Sequence, residues 1–172
     1  MDAGYRDRIL GAAELRARTG GYHGFSFRDL ADDVGIKSSS VHYHFPTKAD
    51  LCAELARRYT QATRRRLGDA QDVTPQEAVA RVVALFRDAL LIDDRMCLCG
   101  LLGAERDALP PAVQDAVASF FRTVLAFLDG AFGPAWPGPR PAAILASLEG
   151  GLIVARTLRN AELFEEIAAG IG

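Results

Sequence analysis

Between positions 38 and 44 the chain reads Ser-Ser-Ser-Val-His-Tyr-His, so all but one of these consecutive side chains can give or accept a hydrogen bond. Hydroxyl and imidazole groups crowded onto one short element suit base edges and phosphate oxygens. Catalysis is the poorer use, because no nucleophile, base and acid set surrounds His42 and His44, and an enzyme is not expected. A second chemistry is offered by Cys97-Leu98-Cys99. No His or acid cluster stands at ligand spacing around that pair, so no metal and no cofactor is expected. On a helix, residues two apart diverge by about 200° around the axis, which also keeps the two thiols from joining. A reactive thiolate needs positive charge nearby, and Arg95 is the only close candidate in sequence. Buried structural cysteine is the expectation, with thiol sensing through Cys97 or Cys99 as the alternative.

The elements that position residues 38–44 can be read from their boundaries. Ser26-Phe27-Arg28-Asp29 is a capping box that opens a helix carrying Leu30, Ala31 and Val34 inward. Gly35 supplies the positive φ of a sharp turn, with Ile36 as the apolar plug after it. A second helix starts at Ser38-Ser39-Ser40 and lasts only to Phe45, because Pro46 disfavours helical geometry in the residue before it. Thr47-Lys48-Ala49-Asp50 repeats the capping box and opens a longer helix through Leu51, Leu55 and Tyr59 to about Arg66. Two capped helices joined by a glycine turn form a helix-turn-helix, which offers its second helix to the DNA major groove.

With Gly35, the run His42-Tyr43-His44-Phe45 and Lys48 in place, residues 5–66 resemble the DNA-binding domain of TetR/AcrR-family transcriptional regulators. His42 stands where that family most often has Tyr, and Lys37 where a small capping residue is common, so Ser38 is expected to take over the cap. Ser38, Ser39 and Ser40 are expected to meet the base edges, His42 a phosphate or a base edge, and Arg28 is the best single candidate for a bidentate contact to guanine. Tyr43, His44, Thr47 and Lys48 are expected to hold phosphates, while Phe45 is core.

Charge distribution points the same way. The whole chain has 20 Lys and Arg against 22 Asp and Glu, but residues 1–66 hold 12 basic and 8 acidic residues, a net of +4. The remainder holds 8 basic and 14 acidic, a net of −6. A basic head on an acidic body suits a phosphate-binding domain joined to a module that does not touch DNA. The start, MDAGYRDR, has no apolar run and reads as no signal peptide. Glu149 interrupts the best candidate for a membrane span, and three cysteines make no disulfide framework, so the expected compartment is the cytoplasm.

The fold class expected is all-α. A first helix covers residues 5–19, with Ile9, Ala12, Ala13 and Arg16 at helical spacing and Gly20-Gly21 as its stop. Beyond the head, Val79, Val82, Val83, Phe86, Ala89 and Leu90 mark a further helix. Another is expected from Asp93-Asp94 to Leu109, followed by helices over residues 111–131 and 141–159, a Pro- and Gly-rich loop with Trp136 between them, and a short tail. The domains expected are a helix-turn-helix domain at 1–47 and, at 48–172, a connecting helix with an effector-binding and dimerisation domain. The resemblance implies a homodimer whose last two long helices pack on their copies, helped by the small patch Ser147, Gly150, Gly151 and Val154. It also implies an apolar effector pocket among Phe86, Leu90, Cys97, Leu101, Phe120, Phe121 and Leu148. The function implied is a repressor released from a pseudo-palindromic operator by a small apolar effector.

Overall fold

The computed structural model describes residues 2–133 and 136–171, all-helical and without a strand among them. The helices are α1 (Asp2–Gly20), α2 (Phe27–Val34), α3 (Ser38–His44), α4 (Lys48–Leu67), α5 (Pro75–Leu91), α6 (Leu98–Ala104), α7 (Pro111–Phe132), α8 (Pro141–Leu158) and α9 (Glu162–Ala169). Pro134 and Ala135, in the loop that carries Trp136, lie outside the described residues. The chain forms two compact units, one of Met1–Tyr59 with Leu98–Phe120 and one of Thr60–Cys97 with Phe121–Gly172, so α4 and α7 each belong to both.

In the first unit α1 packs on α2 and α6, and α2 on α3. Ile9, Leu10, Ala13 and Ala17 of α1 are buried together with Leu30, Ala31, Val41, Phe45, Leu51 and Leu55. Of the α1 positions expected inward Ile9 and Ala13 are buried, whereas Ala12 and Arg16 are half-buried and Leu10 and Ala17 take their places. Both capping boxes of the head are formed. The Ser26 side chain accepts the Asp29 N–H while Asp29 takes the Ser26 N–H at 2.7 Å. Thr47 and Asp50 repeat the exchange, each at 3.1 Å. Gly35 closes α2 in the left-handed region at φ 72°, and the Arg8 guanidinium donates to the Val34 carbonyl at 2.6 Å. A chelate from Arg16 to Asp33 fixes α1 on α2, and its hydrogen bond holds the Asp33 carboxyl below its ordinary pKa.

In the second unit α8 packs on α5 and α9. The α5 stripe Val79, Val82, Val83, Phe86, Ala89 and Leu90 is buried, as are Ile144, Leu145, Leu148 and Leu152 of α8. By length and composition α8 would also pass for a membrane span, since Glu149 and Arg156 are its only charges. Its buried face here is a protein core.

Four expectations are corrected. The helix placed from Asp93 begins only at Leu98, because Asp94 sits in the left-handed region at φ 48° and its carboxylate is held by Arg156 at 2.5 Å. Cys97 therefore precedes α6, and the helical argument for diverging thiols does not apply to it. Lys37, not Ser38, occupies the cap position of α3, with no side-chain hydrogen bond. The tail after α8 contains α9, which buries Phe164 and Ala168; Asn160 starts it by accepting the Glu162 N–H at 3.0 Å. Finally, Gly151 belongs to an internal contact: a Cβ there would stand 3.2 Å from the Ile167 side chain of α9, whereas one on Gly150 would meet open space.

Replacing Ser26 with Ala removes the reciprocal cap of α2 and should lower stability by about 1 kcal/mol in urea unfolding. An unchanged midpoint would show that the box contributes nothing to holding α2.

Candidate nucleic-acid interface

The geometry of α3 follows from what its inward residues do. Val41 is fully buried and Phe45, its C-cap, nearly so, which leaves the other side of the helix to solvent. Ser39, His42 and Tyr43 are exposed, Tyr43 to 75%, while Ser38, Ser40 and His44 are half-buried. With the cap position taken by Lys37, no serine hydroxyl is committed to capping α3. Ser39, Ser40, Tyr43 and His44 line one open groove with Tyr5, Ile36 and Lys37. Tyr5, Ile36 and Lys37 are the three residues here that the sequence did not single out for contact. An exposed aromatic near the start of α1 carries no pattern to read, and Lys37 stands at a position that the sequence marks only as a cap.

The remaining head residues are more constrained. His42 meets the Phe27 ring edge-on at 4.7 Å, so its position is tied to the start of α2. Arg28 is exposed in the first turn of α2. The Thr47 hydroxyl donates to Asp50 at 2.7 Å as part of the cap. Lys48 turns back on the protein: its ammonium donates to the Phe25 carbonyl and lies over the Phe25 and Tyr22 rings at 4.3 and 4.9 Å. Burial lowers its pKa, with Cys52, Asp29 and Glu105 opposing that shift. Lys48 thus holds the α1–α2 loop by which α2 is entered, with two of its three ammonium protons left for another acceptor.

Glu105, which the sequence did not flag, secures the same loop. Its carboxylate accepts the Tyr22 N–H at 2.7 Å and lies where a Cβ on Gly21 would be, 2.0 Å from Oε1. Gly21 adopts φ 69°, so the residue type is required by conformation as well as by space.

The expected pocket residues divide between the units. Phe86, Leu90, Cys97, Phe121 and Leu148 lie in the second; Leu101 and Phe120 lie in the first, Phe120 with its ring 5.5 Å from that of Tyr59. Phe86, Leu90, Cys97, Phe120 and Leu148 are buried, Leu101 and Phe121 partly so. Beside Leu148, Glu149 receives a hydrogen bond from the Cys97 thiol, yet its Oε1 is enclosed with no partner. Burial pushes its carboxyl up to about 7, the Cys97 contact opposing. Cys52 is likewise driven by burial to about 12, an inert thiol.

Residues 9–55 match the family model described as bacterial regulatory proteins, tetR family. No curated protein matches the chain. Among solved structures, it is similar to a TetR-family transcriptional regulator from Agrobacterium tumefaciens at 26% identity, covering 98% of this chain and 96% of that one with a TM-score of 0.81. A TetR transcriptional regulator from Legionella pneumophila is 27% identical over 95% of this chain and 93% of its own, also at 0.81. The reduced form of NemR from E. coli shares the fold at 20% identity and a TM-score of 0.75, over 96% and 95% of the two chains.

Glu149 makes stability depend on pH. Its folded pKa of about 7 lies above the ordinary 4.5, so the fold bears no penalty below about pH 4.5 and an increasing one as pH rises to about 7. Relative to Glu149→Gln at equal protein concentration, the native chain should lose about 3 kcal/mol across that window in urea unfolding. A difference that stays flat with pH would contradict the burial of an ionisable oxygen here.

Proposed function

From the match of residues 9–55 to the tetR family of bacterial regulatory proteins, we propose that this chain is a dimeric, ligand-responsive transcriptional repressor. It holds a pseudo-palindromic operator until a small effector binds. The observation that carries the reading is the exposed polar face of α3, set on buried Val41 and Phe45 and fixed to α2 by the Gly35 turn. Ser38, Ser39, Ser40 and His42 meet base edges, and Arg28 makes the bidentate contact to guanine. Tyr43, His44, Thr47 and Lys48 hold phosphates, joined by Tyr5 and Lys37 on the same groove.

Residues 1–47 read DNA and 48–172 respond to the effector and pair with a second copy. One α3 spans only a few base pairs, and a two-fold axis doubles what is read. The outer face of α8 supports pairing: Ile153, Val154 and Leu158 are exposed, to 51%, 43% and 63%, along the same side as Ser147 and open Gly150. A charge-poor apolar stripe of this kind is what an interface between copies buries. The α7 and α8 helices would form a four-helix bundle with their copies. A chain that works on DNA in a bacterium acts in the cytoplasm, and it needs no catalysis to do so.

The effector enters the second unit against Phe86, Leu90, Cys97, Phe121 and Leu148. It shifts the dimer only to the extent that it prefers the conformer whose heads are mis-spaced for the operator. Thiol sensing draws less support, because Cys97 and Cys99 are 2% and 0% exposed and Cys97 faces a carboxylate rather than a cation.

Fluorescence anisotropy with DNA from upstream of its own coding sequence, beside a scrambled duplex, tests the reading over a salt series. Sequence-dependent binding that weakens steeply with salt is expected, because phosphate contacts release counterions. Arg28→Ala should cost about 1–3 kcal/mol and narrow the gap between the two duplexes. No binding to either duplex at low salt would overturn DNA binding.

A further inference from the structure

Three acids of the second unit are held by arginine, and Glu149, whose oxygen is enclosed, is held by none. Asp88 is held by Arg66, Asp94 by Arg156 at 2.5 Å, and Glu165 by Arg87 through two hydrogen bonds of 2.7 Å. Each of those acids is at least partly open to solvent, where a missing partner would cost little. Glu149 stands on α8, two turns before Arg156, with an oxygen sealed from water. Its contact is the Cys97 thiol, a weak donor, and no cationic side chain acts on it. A lone carboxylate with an enclosed oxygen, on a helix whose Leu145, Leu148 and Leu152 are buried, destabilises the fold, and an apolar residue would fill the position at lower cost.

Groups kept at such a cost are found where a ligand supplies what the chain omits, and a sparse polar anchor in an apolar surround is the usual composition of a small-molecule site. The omitted partner has a definite chemistry. Oε1 needs an N–H or O–H donor, and an ionised carboxylate away from water needs a positive charge. A protonated amine meets both needs. We propose that Glu149 is the anchor of the effector site and that the effector is a protonated amine on an apolar body, its N–H donating to Glu149 and its hydrocarbon lying against the α5–α8 core. This rests on the effector-responsive reading above and narrows it: the apolar effector carries a cationic head. Cys97 is the group the amine joins or displaces at the carboxylate. Because Cys97 ends the segment that runs into α6, a change there is reported along the chain.

Three probes of equal length, octylammonium, octanol and octanoate, decide the matter by calorimetry on the full-length chain, native and Glu149→Gln. Operator binding of each protein without additive is measured first, and operator release by each probe afterwards. The native chain should bind octylammonium at least about tenfold more tightly than octanol, and octanoate least. Glu149→Gln should keep the fold and the operator affinity while losing that preference, and Glu149→Asp should retain part of it. Octanol or octanoate binding as well as octylammonium and releasing the operator would overturn the amine anchor and leave the regulator standing. A preference unchanged in Glu149→Gln, or no binding of octylammonium, would overturn it as well. Failure of the unliganded chain to bind operator would sink the regulator reading instead, and the binding preference at Glu149 would still be read.

Discussion

A turn as tight as Gly35-Ile36-Lys37 leaves α2 and α3 a single way to lie together, and the head depends on it. The positive φ of Gly35 lets its own N–H and that of Ile36 return to carbonyls of the last turn of α2. A side chain at that position would be strained by roughly 1–2 kcal/mol. With the angle fixed, burying Val41 and Phe45 suffices to face the hydroxyls and imidazoles of α3 outward. The surrounding contacts hold the same geometry from other directions. Arg8 and Arg16 reach α2 from α1, and Lys48 and Glu105 fasten the loop that enters α2.

The parts of the fold that were legible in the sequence are those set by local rules. Capping boxes at Ser26 and Thr47, the turn glycine and the stop before Pro46 act over three or four residues, and each appears where its pattern stands. The α5 stripe was equally plain, since six apolar positions at helical spacing have one reading. What escaped depends on distant partners. The segment before α6 is irregular, with Asp94 in the left-handed region and bonded to Arg156, a partner 62 residues away. The resemblance assigns Lys48 to phosphate, yet its ammonium bonds to Phe25, and only the folded loop brings that carbonyl near. Glu105 carries no local pattern, and only the fold brings the Tyr22 N–H within 2.7 Å of it. At Gly151 the difficulty was of another kind, because a small residue on a helix does not declare which neighbour it admits.

Local and tertiary preferences agree almost everywhere in the second unit, and the place where they disagree is informative. Apolar spacing, capping by Thr74 and Glu77, and the paired surface acids all describe an ordinary helical core. Glu149 breaks that agreement in the middle of α8. Natural sequences break such rules mostly at sites of function. The outer face of the same helix shows the opposite departure, apolar groups left in water. One helix thus carries both an enclosed charge and an exposed apolar stripe, an arrangement suited to sensing on one side and pairing on the other.

If the regulator works as proposed, two copies of α3 read a two-fold symmetric DNA sequence. Selection of bound duplexes from a randomised library, with the full-length chain at moderate salt, tests this with no operator sequence assumed. Enrichment of an inverted repeat is expected, its half-sites at a fixed spacing of about one helical turn or a multiple of it. Enrichment of no motif, or of one motif without its inverted copy, would contradict reading by a symmetric pair.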